Sequence, residues 1–162
     1  MFILKWLLIA AALLLAAVLV VGQLGLLQGH EPKDLGVHDG RLKPPSKTPN
    51  SVSSQAGLHP DHPLRAYAEI APLALRGDGP STIAKIKAIA EAMPGARVVK
   101  SEPAYLYVQF TTRLMKYVDD TEFWFDPAAQ AVHVRSASRV GRKDYGVNRA
   151  RIEAIRAQLA AR

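Results

Sequence analysis

The chain has 162 residues, 21 Lys and Arg against 14 Asp and Glu, a net charge of +7, and no cysteine. Beyond an N-terminal segment that is not part of a globular body, this length holds one domain with enough chain to bury a core unaided. The absent thiols exclude disulfides, thiolate metal sites, cysteine nucleophiles and an acylated lipoprotein cysteine.

Lys5 carries the only charge among residues 1–30, so the rest of the chain carries +6. From Trp6 to Gly22 no side chain is charged or strongly polar, and after Gln23 the apolar run resumes through Leu27. At about 1.5 Å of rise per residue this stretch spans roughly 33 Å, enough for a bilayer core. A cleaved signal has a shorter apolar region and a small-residue exit, which Val21-Gly22-Gln23 does not offer. Residues 1–30 therefore read as a retained signal anchor, with a cleaved signal as the alternative. Lys5 and the α-amino group precede the run, which keeps the N-terminus in the cytoplasm. The expected location is the cytoplasmic membrane, single-pass through residues 6–27, with the C-terminal domain extracytoplasmic, in the periplasm of a double-membraned bacterium. A basic domain favours anionic partners. Nucleic acid is not expected on that side of the membrane; an envelope protein or an anionic lipid is.

Residues 31–63 are rich in Pro and Gly and poor in large apolar side chains, which reads as an extended tether with little regular structure. Asn50, Ser51, Ser53, Ser54 and Gln55 can bond the local backbone, so the segment is expected to pack along the domain. The domain proper is expected over 64–162. Ser81 reads as the N-cap of a helix with apolar Ile83, Ile86, Ile89 and Ala90, ended by Met93-Pro94-Gly95.

The period then changes to two. Strands are expected at 96–101, 104–112, 117–126 and 131–137. Leu106, Val108 and Phe110 share one face, with Tyr105, Tyr107 and Gln109 on the other. Thr121, Phe123 and Phe125 oppose Asp120, Glu122 and Trp124; Val132 and Val134 oppose His133 and Arg135. Pairing Phe125 with Val132 sets Glu122 across from Arg135, and a two-residue slip would keep the faces but change the partners. A last helix from Arg149 to about Ala161, with Asn148 as its N-cap, shows Ile152, Ile155 and Leu159 as its stripe. The sum is an α+β two-layer domain: a four-stranded antiparallel meander with flanking helices, after one transmembrane helix.

The segments PNSVSSQA (Pro49 to Ala56), IAPL (Ile70 to Leu73), YVDDTEFWFD (Tyr117 to Asp126) and VRSASRVGRKDYGVNRARIEAIR (Val134 to Arg156) resemble the family of domain of unknown function 1499, over roughly residues 36–160. Members of that family often carry two cysteines in the early loop; Pro45 and Ser51 fall near those places here. The resemblance implies a fold and a domain extent. It implies no chemistry.

Arg149 and Arg151 fall in the first turn of the last helix, where positive charge opposes the helix dipole. Two offsets are open. Asp119, Asp120, Glu122 or Asp144 can pair with the arginines as a structural network. Alternatively, Arg135, Arg139, Arg149 and Arg151, helped by Ser136, Ser138 and free N–H groups, can bind a phosphate or carboxylate. No catalytic residue is assigned: Asp119 and Asp120 point to opposite faces, and arginines nearby hold carboxylates ionised, which suits a base poorly. No metal site or cofactor is expected. His59-x-x-His62 with Asp61 carries Pro60 and Pro63, which disfavour a helix, and has no third histidine or cysteine near, so it reads as a solvated loop. The expected role is a non-catalytic binding or scaffolding domain of the envelope. The alternative is an envelope enzyme acting on an anionic substrate through Asp120 or Glu122 with Arg135.

Overall fold

The computed structural model describes residues 2–162. Helix α1 spans Phe2–Gln23 and is exposed along its length apart from half-buried Leu19 and buried Gly22. It begins earlier than the apolar run from Trp6 suggests and ends before it: Leu24 to Leu27 form turns, with the Leu24 N–H bonded to the Val20 carbonyl and the Gly25 N–H to that of Gly22. The helix is long and apolar enough to cross a membrane, a property that signal sequences share.

The body is α+β. Its antiparallel sheet has six strands where the sequence suggests four: β1 (Ser51–Ser53), β2 (Leu73–Ala74), β3 (Ala96–Ser101), β4 (Tyr105–Thr111), β5 (Val118–Asp126) and β6 (Ala131–Ser138). The order is β1-β6-β5-β4-β3, with β2 also pairing β6. The two extra strands are two and three residues long, too short to show a period. One of them, β1, lies in the stretch read as irregular tether. Its residues Ser51, Val52 and Ser53 pair with Ala137, Ser136 and Arg135 and are all buried.

Helix α2 (Arg65–Ala68) is a single turn, whereas α3 (Gly79–Glu91) and α4 (Val147–Ala160) pack on one face of the sheet. Helix α3 starts two residues before Ser81. Asp78 is its N-cap, its carboxylate accepting from the Ser81 N–H at 2.7 Å, and Pro80 stands in the first turn. Gly79 is needed for packing, because a Cβ there would enter the ring of Phe125. Helix α4 is capped by Gly146, which takes the left-handed φ of +82° that glycine tolerates. Asn148 therefore lies inside the first turn and is not the N-cap. The inner core joins Ile83, Ile86, Ile89, Ile152, Ile155 and Leu159 of the helices to Leu106, Val108, Phe110, Phe123, Val132 and Val134 of the sheet, the faces that alternation assigns.

The β5–β6 register is Phe125↔Val132, Phe123↔Val134 and Glu122↔Arg135, the unslipped alternative. The outer face of the sheet is not left to solvent. Residues 31–47 cross it as a strap, and Leu35, Val37 and Leu42 pack on Tyr105, Tyr107 and Trp124. The two-layer expectation thus omits a third, irregular cover. Burying a few large side chains is what holds a segment without its own hydrogen-bond ladder; each buried aromatic or Leu contributes about 1.5–3 kcal/mol.

Candidate functional site

The charged residues of β5 and β6 fall into two networks because successive side chains leave opposite faces of a strand. Under the strap, Asp120 receives both arms of Arg139: Nε to Oδ2 at 2.9 Å and Nη2 to Oδ1 at 2.8 Å. The Tyr107 hydroxyl also donates to Asp120 Oδ1 and accepts from Gln109 Nε2 at 2.7 Å. Glu31 of the strap closes the group, accepting from Gln109 Nε2 at 2.8 Å. Asp120 is 1% exposed, and its two charge-assisted bonds hold the Arg139 pKa above even its usual high value.

Glu122 lies beside this group and is fully buried. Its Oε1 accepts from the Gly36 N–H at 2.6 Å and from the Tyr105 hydroxyl at 2.8 Å. Gly36 has φ of +114°, a region open to glycine, and that conformation aims its N–H into the sheet. Oε2 has no hydrogen bond; the guanidinium of Arg135 stands 3.9 Å away. Burial pushes the Glu122 pKa up, against the lowering effects of the Gly36 N–H, Tyr105 and Arg135. Burial also pulls Arg135 down, from a starting value so high that it stays charged. Tyr105 and Tyr107 are pushed well up by burial and then by their carboxylate partners, which keeps both hydroxyls as donors. Arg135 Nε donates to the Pro44 carbonyl at 3.2 Å, so this arginine fastens the strap as well.

The second network lies between the sheet and the start of α4. Arg151 Nη2 meets Asp119 at 2.7 Å, and its guanidinium stacks on Phe110 at 4.5 Å. Asn148, fully buried, is the hub. Its Oδ1 accepts from Arg151 Nη1 at 2.9 Å and from the Ser136 hydroxyl; its Nδ2 donates to Ser138 Oγ at 3.1 Å and Asp144 Oδ2 at 3.0 Å. Asp144 accepts from the Gly146 and Asn148 N–H groups, both at 3.1 Å. Burial alone would raise the Asp144 pKa, but those N–H bonds outweigh it and hold it below the usual carboxylate range. A carboxylate at the helix start also offsets the two arginines that oppose the dipole.

The six arginines and serines of the candidate anion site are therefore not gathered at one point. Arg135 and Arg139 lie on the outer face, and Ser136, Ser138 and Arg151 on the inner one. Arg149 turns to a third place, where Nη2 donates to the carbonyls of Tyr67 at 2.6 Å and Glu69 at 2.9 Å. Among the carboxylates, Asp119, Asp120 and Glu122 each face an arginine, whereas Asp144 bonds the helix start and the Tyr67 hydroxyl. Arg135 and Arg139 also line a cleft of about 410 Å³ at the strap's edge, together with Lys43, Lys47 and Asp120.

The family model for a protein of unknown function, DUF1499, matches residues 41–159. The chain belongs to the DUF1499 family. No curated protein and no solved structure gives a match. The matched range of this DUF1499 chain runs from within the strap through β1 to the end of α4; it takes in the second network, omits Glu31 and Gly36 of the first, and leaves out α1.

Three contributors escape a reading by strand and helix period: Gly36, the core role of Asn148, and Arg156. Arg156 lies two turns beyond Arg149 and donates to the carbonyls of Ala71 and Pro72, both at 2.6 Å. The motif GVNRARIEAIR that carries the family resemblance contains Asn148 and Arg156, and was the available signal for both. His133 is half-buried, not a free surface histidine: it stacks on Trp124, and Nδ1 bonds the Ser54 hydroxyl at 3.0 Å. His59 and His62 lie partly buried with Nε2 atoms that have no partner. Among the described residues no group of three or more His, Cys, Asp or Glu is placed to hold a metal.

Proposed function

We propose that this DUF1499 protein is a single-pass protein of the cytoplasmic membrane whose domain lies outside the cytoplasm and binds or scaffolds an envelope partner without catalysis. The partner is an envelope protein or an anionic ligand such as a lipid headgroup. One observation carries the non-catalytic part. The carboxylates that an enzyme would use, Asp120 and Glu122, are sealed beneath the strap and already engaged by Arg139, Tyr107, Gly36 and Tyr105. A general acid or base must reach a substrate proton; Glu122 is fully buried, and Asp120, at the edge of the cleft, has both oxygens taken by Arg139 and Tyr107. Helix α1 supports the anchor, and Lys5 ahead of it supports the orientation. The basic lining of the cleft at Lys43, Lys47, Arg135 and Arg139 supports an anionic ligand.

The enzyme reading retains one favourable observation, the raised pKa of Glu122 beside an unbonded Oε2. Photo-crosslinking of the full chain in intact cells, with identification of attached proteins and lipids, tests the binding role; recovery of neither counts against it. A topology reporter fused after Arg162 tests placement, and activity confined to the cytoplasm would overturn it. Turnover of an anionic substrate that disappears in a normally folded Glu122→Gln variant would favour the enzyme.

A further inference from the structure

The end of α1 fixes the depth of one particular loop. Gln23 Nε2 donates to the carbonyls of Arg113 at 3.2 Å and Leu114 at 2.7 Å, and Gly22 packs on Met115 so closely that a Cβ would come within 3.2 Å of its backbone. The 22 residues of α1 rise roughly 33 Å against a hydrocarbon thickness of about 30 Å. When α1 spans the bilayer, the loop between β4 and β5 is therefore held at its surface.

That loop and its neighbour between β6 and α4 have the composition an interface requires. Leu114 is 60% exposed, Tyr145 92% and Val147 48%, and Tyr117 is also exposed. Tyr117, Tyr145 and Val147 share the lining of one groove of about 660 Å³. Beside them stand Arg113, Lys116, Arg142 and Lys143, none of which makes an ion pair among the described residues, although the other arginines of this end, Arg139 and Arg151, do. Tyr145 stands almost wholly in solvent on the turn that leads into α4, closed by the Val147 N–H on the Asp144 carbonyl, where it takes a φ of +52°. Tyrosine ringed by apolar side chains and unpaired cations is the pattern of a surface resting in lipid headgroups, with the ring at the boundary and the cations at the phosphates.

We propose that the face formed by residues 112–117 and 140–147 docks into the headgroup layer of an anionic bilayer, with Leu114, Tyr117, Tyr145 and Val147 entering it and Arg113, Lys116, Arg142 and Lys143 binding phosphates. This rests on the membrane-anchor reading and names its lipid partner. It makes the domain a rigid body lying on the membrane, not one swinging from a flexible stalk.

The chain contains no cysteine, so single-cysteine variants can be labelled cleanly. The full chain carrying a fluorophore at Leu114→Cys, Tyr145→Cys or Ala128→Cys is reconstituted into vesicles of phosphatidylcholine with or without phosphatidylglycerol, including lipids with a headgroup-level quencher. Ala128 follows the far end of β5, roughly 27 Å from Val118 by strand rise. The expected result is quenching at positions 114 and 145 in phosphatidylglycerol vesicles and none at 128. Changing Arg113, Lys116, Arg142 and Lys143 to Gln should lower the docked-to-free ratio about fivefold per charge in those vesicles, and much less in neutral ones. If the chain resists alkaline extraction but the labels at 114 and 145 stay as water-exposed as that at 128, the docking idea fails and the anchor reading stands. If the chain is extracted by alkali, both fail.

Discussion

The Glu122–Arg135 pair offers the sharpest test of how this domain is held together. Glu122 is fully buried and the Arg135 side chain is 4% exposed, with 3.9 Å between Oε2 and Nη1. At an effective dielectric of about 20, two unit charges at that distance attract by about 4 kcal/mol. Replacing Arg135 by Met removes that attraction and strands a carboxylate whose second oxygen has no donor. The expected loss is about 3–5 kcal/mol, a large part of the stability of an ordinary domain. For a body of this size that lowers Tm by roughly 12–20 °C. The double variant, Glu122→Gln with Arg135→Met, leaves neither charge and should recover most of the loss. The pH dependence has a definite sign. The folded pKa of Glu122 is raised, so the folded state binds more protons than the unfolded state; stability is greatest below the unfolded pKa and declines as pH rises through the folded one. Without Arg135 the folded pKa moves further up, so the deficit of Arg135→Met should be larger at pH 8 than at pH 5. Urea unfolding of the full chain in detergent, followed by tryptophan fluorescence, measures these two variants and the single Glu122→Gln. Additive losses in the double variant, with a deficit independent of pH, would show that the two charges do not interact as their geometry requires.

Other substitutions probe other joints. Asn148→Leu leaves the donors and acceptors of Ser136, Ser138, Asp144 and Arg151 unmatched, and should cost about 3 kcal/mol in the same unfolding assay. Gly79→Ala drives a methyl group into the Phe125 ring and should cost about 1–3 kcal/mol, readable as a lower Tm. The His133 pKa is lowered by burial, which outweighs the opposing pull of Asp126. A lowered folded pKa means stability present above the unfolded value of about 6.5 and lost as pH falls below it. His133→Gln should flatten that acid-side decline below about pH 6.5, as followed by Tm.

The legible parts of the structure are those written as a period. Alternation in TEFWF and VHVR puts Phe123, Phe125, Val132 and Val134 on the core side, because one buried face permits only one parity of register; which residues pair, Glu122 with Arg135 among them, is settled by the structure between registers two residues apart. The threefold and fourfold spacings in α3 and α4 marked their buried isoleucines in the same way. Strands β1 and β2 were hidden, since a two- or three-residue strand has no period and is made by its partner β6. The helix starts lie earlier than the sequence suggests because Asp78 and Gly146, not Ser81 and Asn148, are the caps. The candidate anion cluster was legible as a list of residues, not as a place. Parity separates Arg135 from Ser136 across the sheet, and only tertiary contacts send Arg149 to the carbonyls of Tyr67 and Glu69.

The strap has a consequence for how the protein is made. It leaves the ribosome early, yet its anchorage is synthesised late: Gly36 waits for Glu122, 86 residues on, and Glu31 for Arg139, 108 residues on. At synthesis rates of about 5–20 residues per second, roughly 5 to 20 seconds separate Glu31 from Arg139. The outer sheet face is made only late in that interval, so Tyr105, Tyr107 and Trp124 emerge after the strap that covers them. Threading the anchor's own continuation across that face keeps the eventual cover tethered within reach, so closure is intramolecular and needs no encounter with a second molecule.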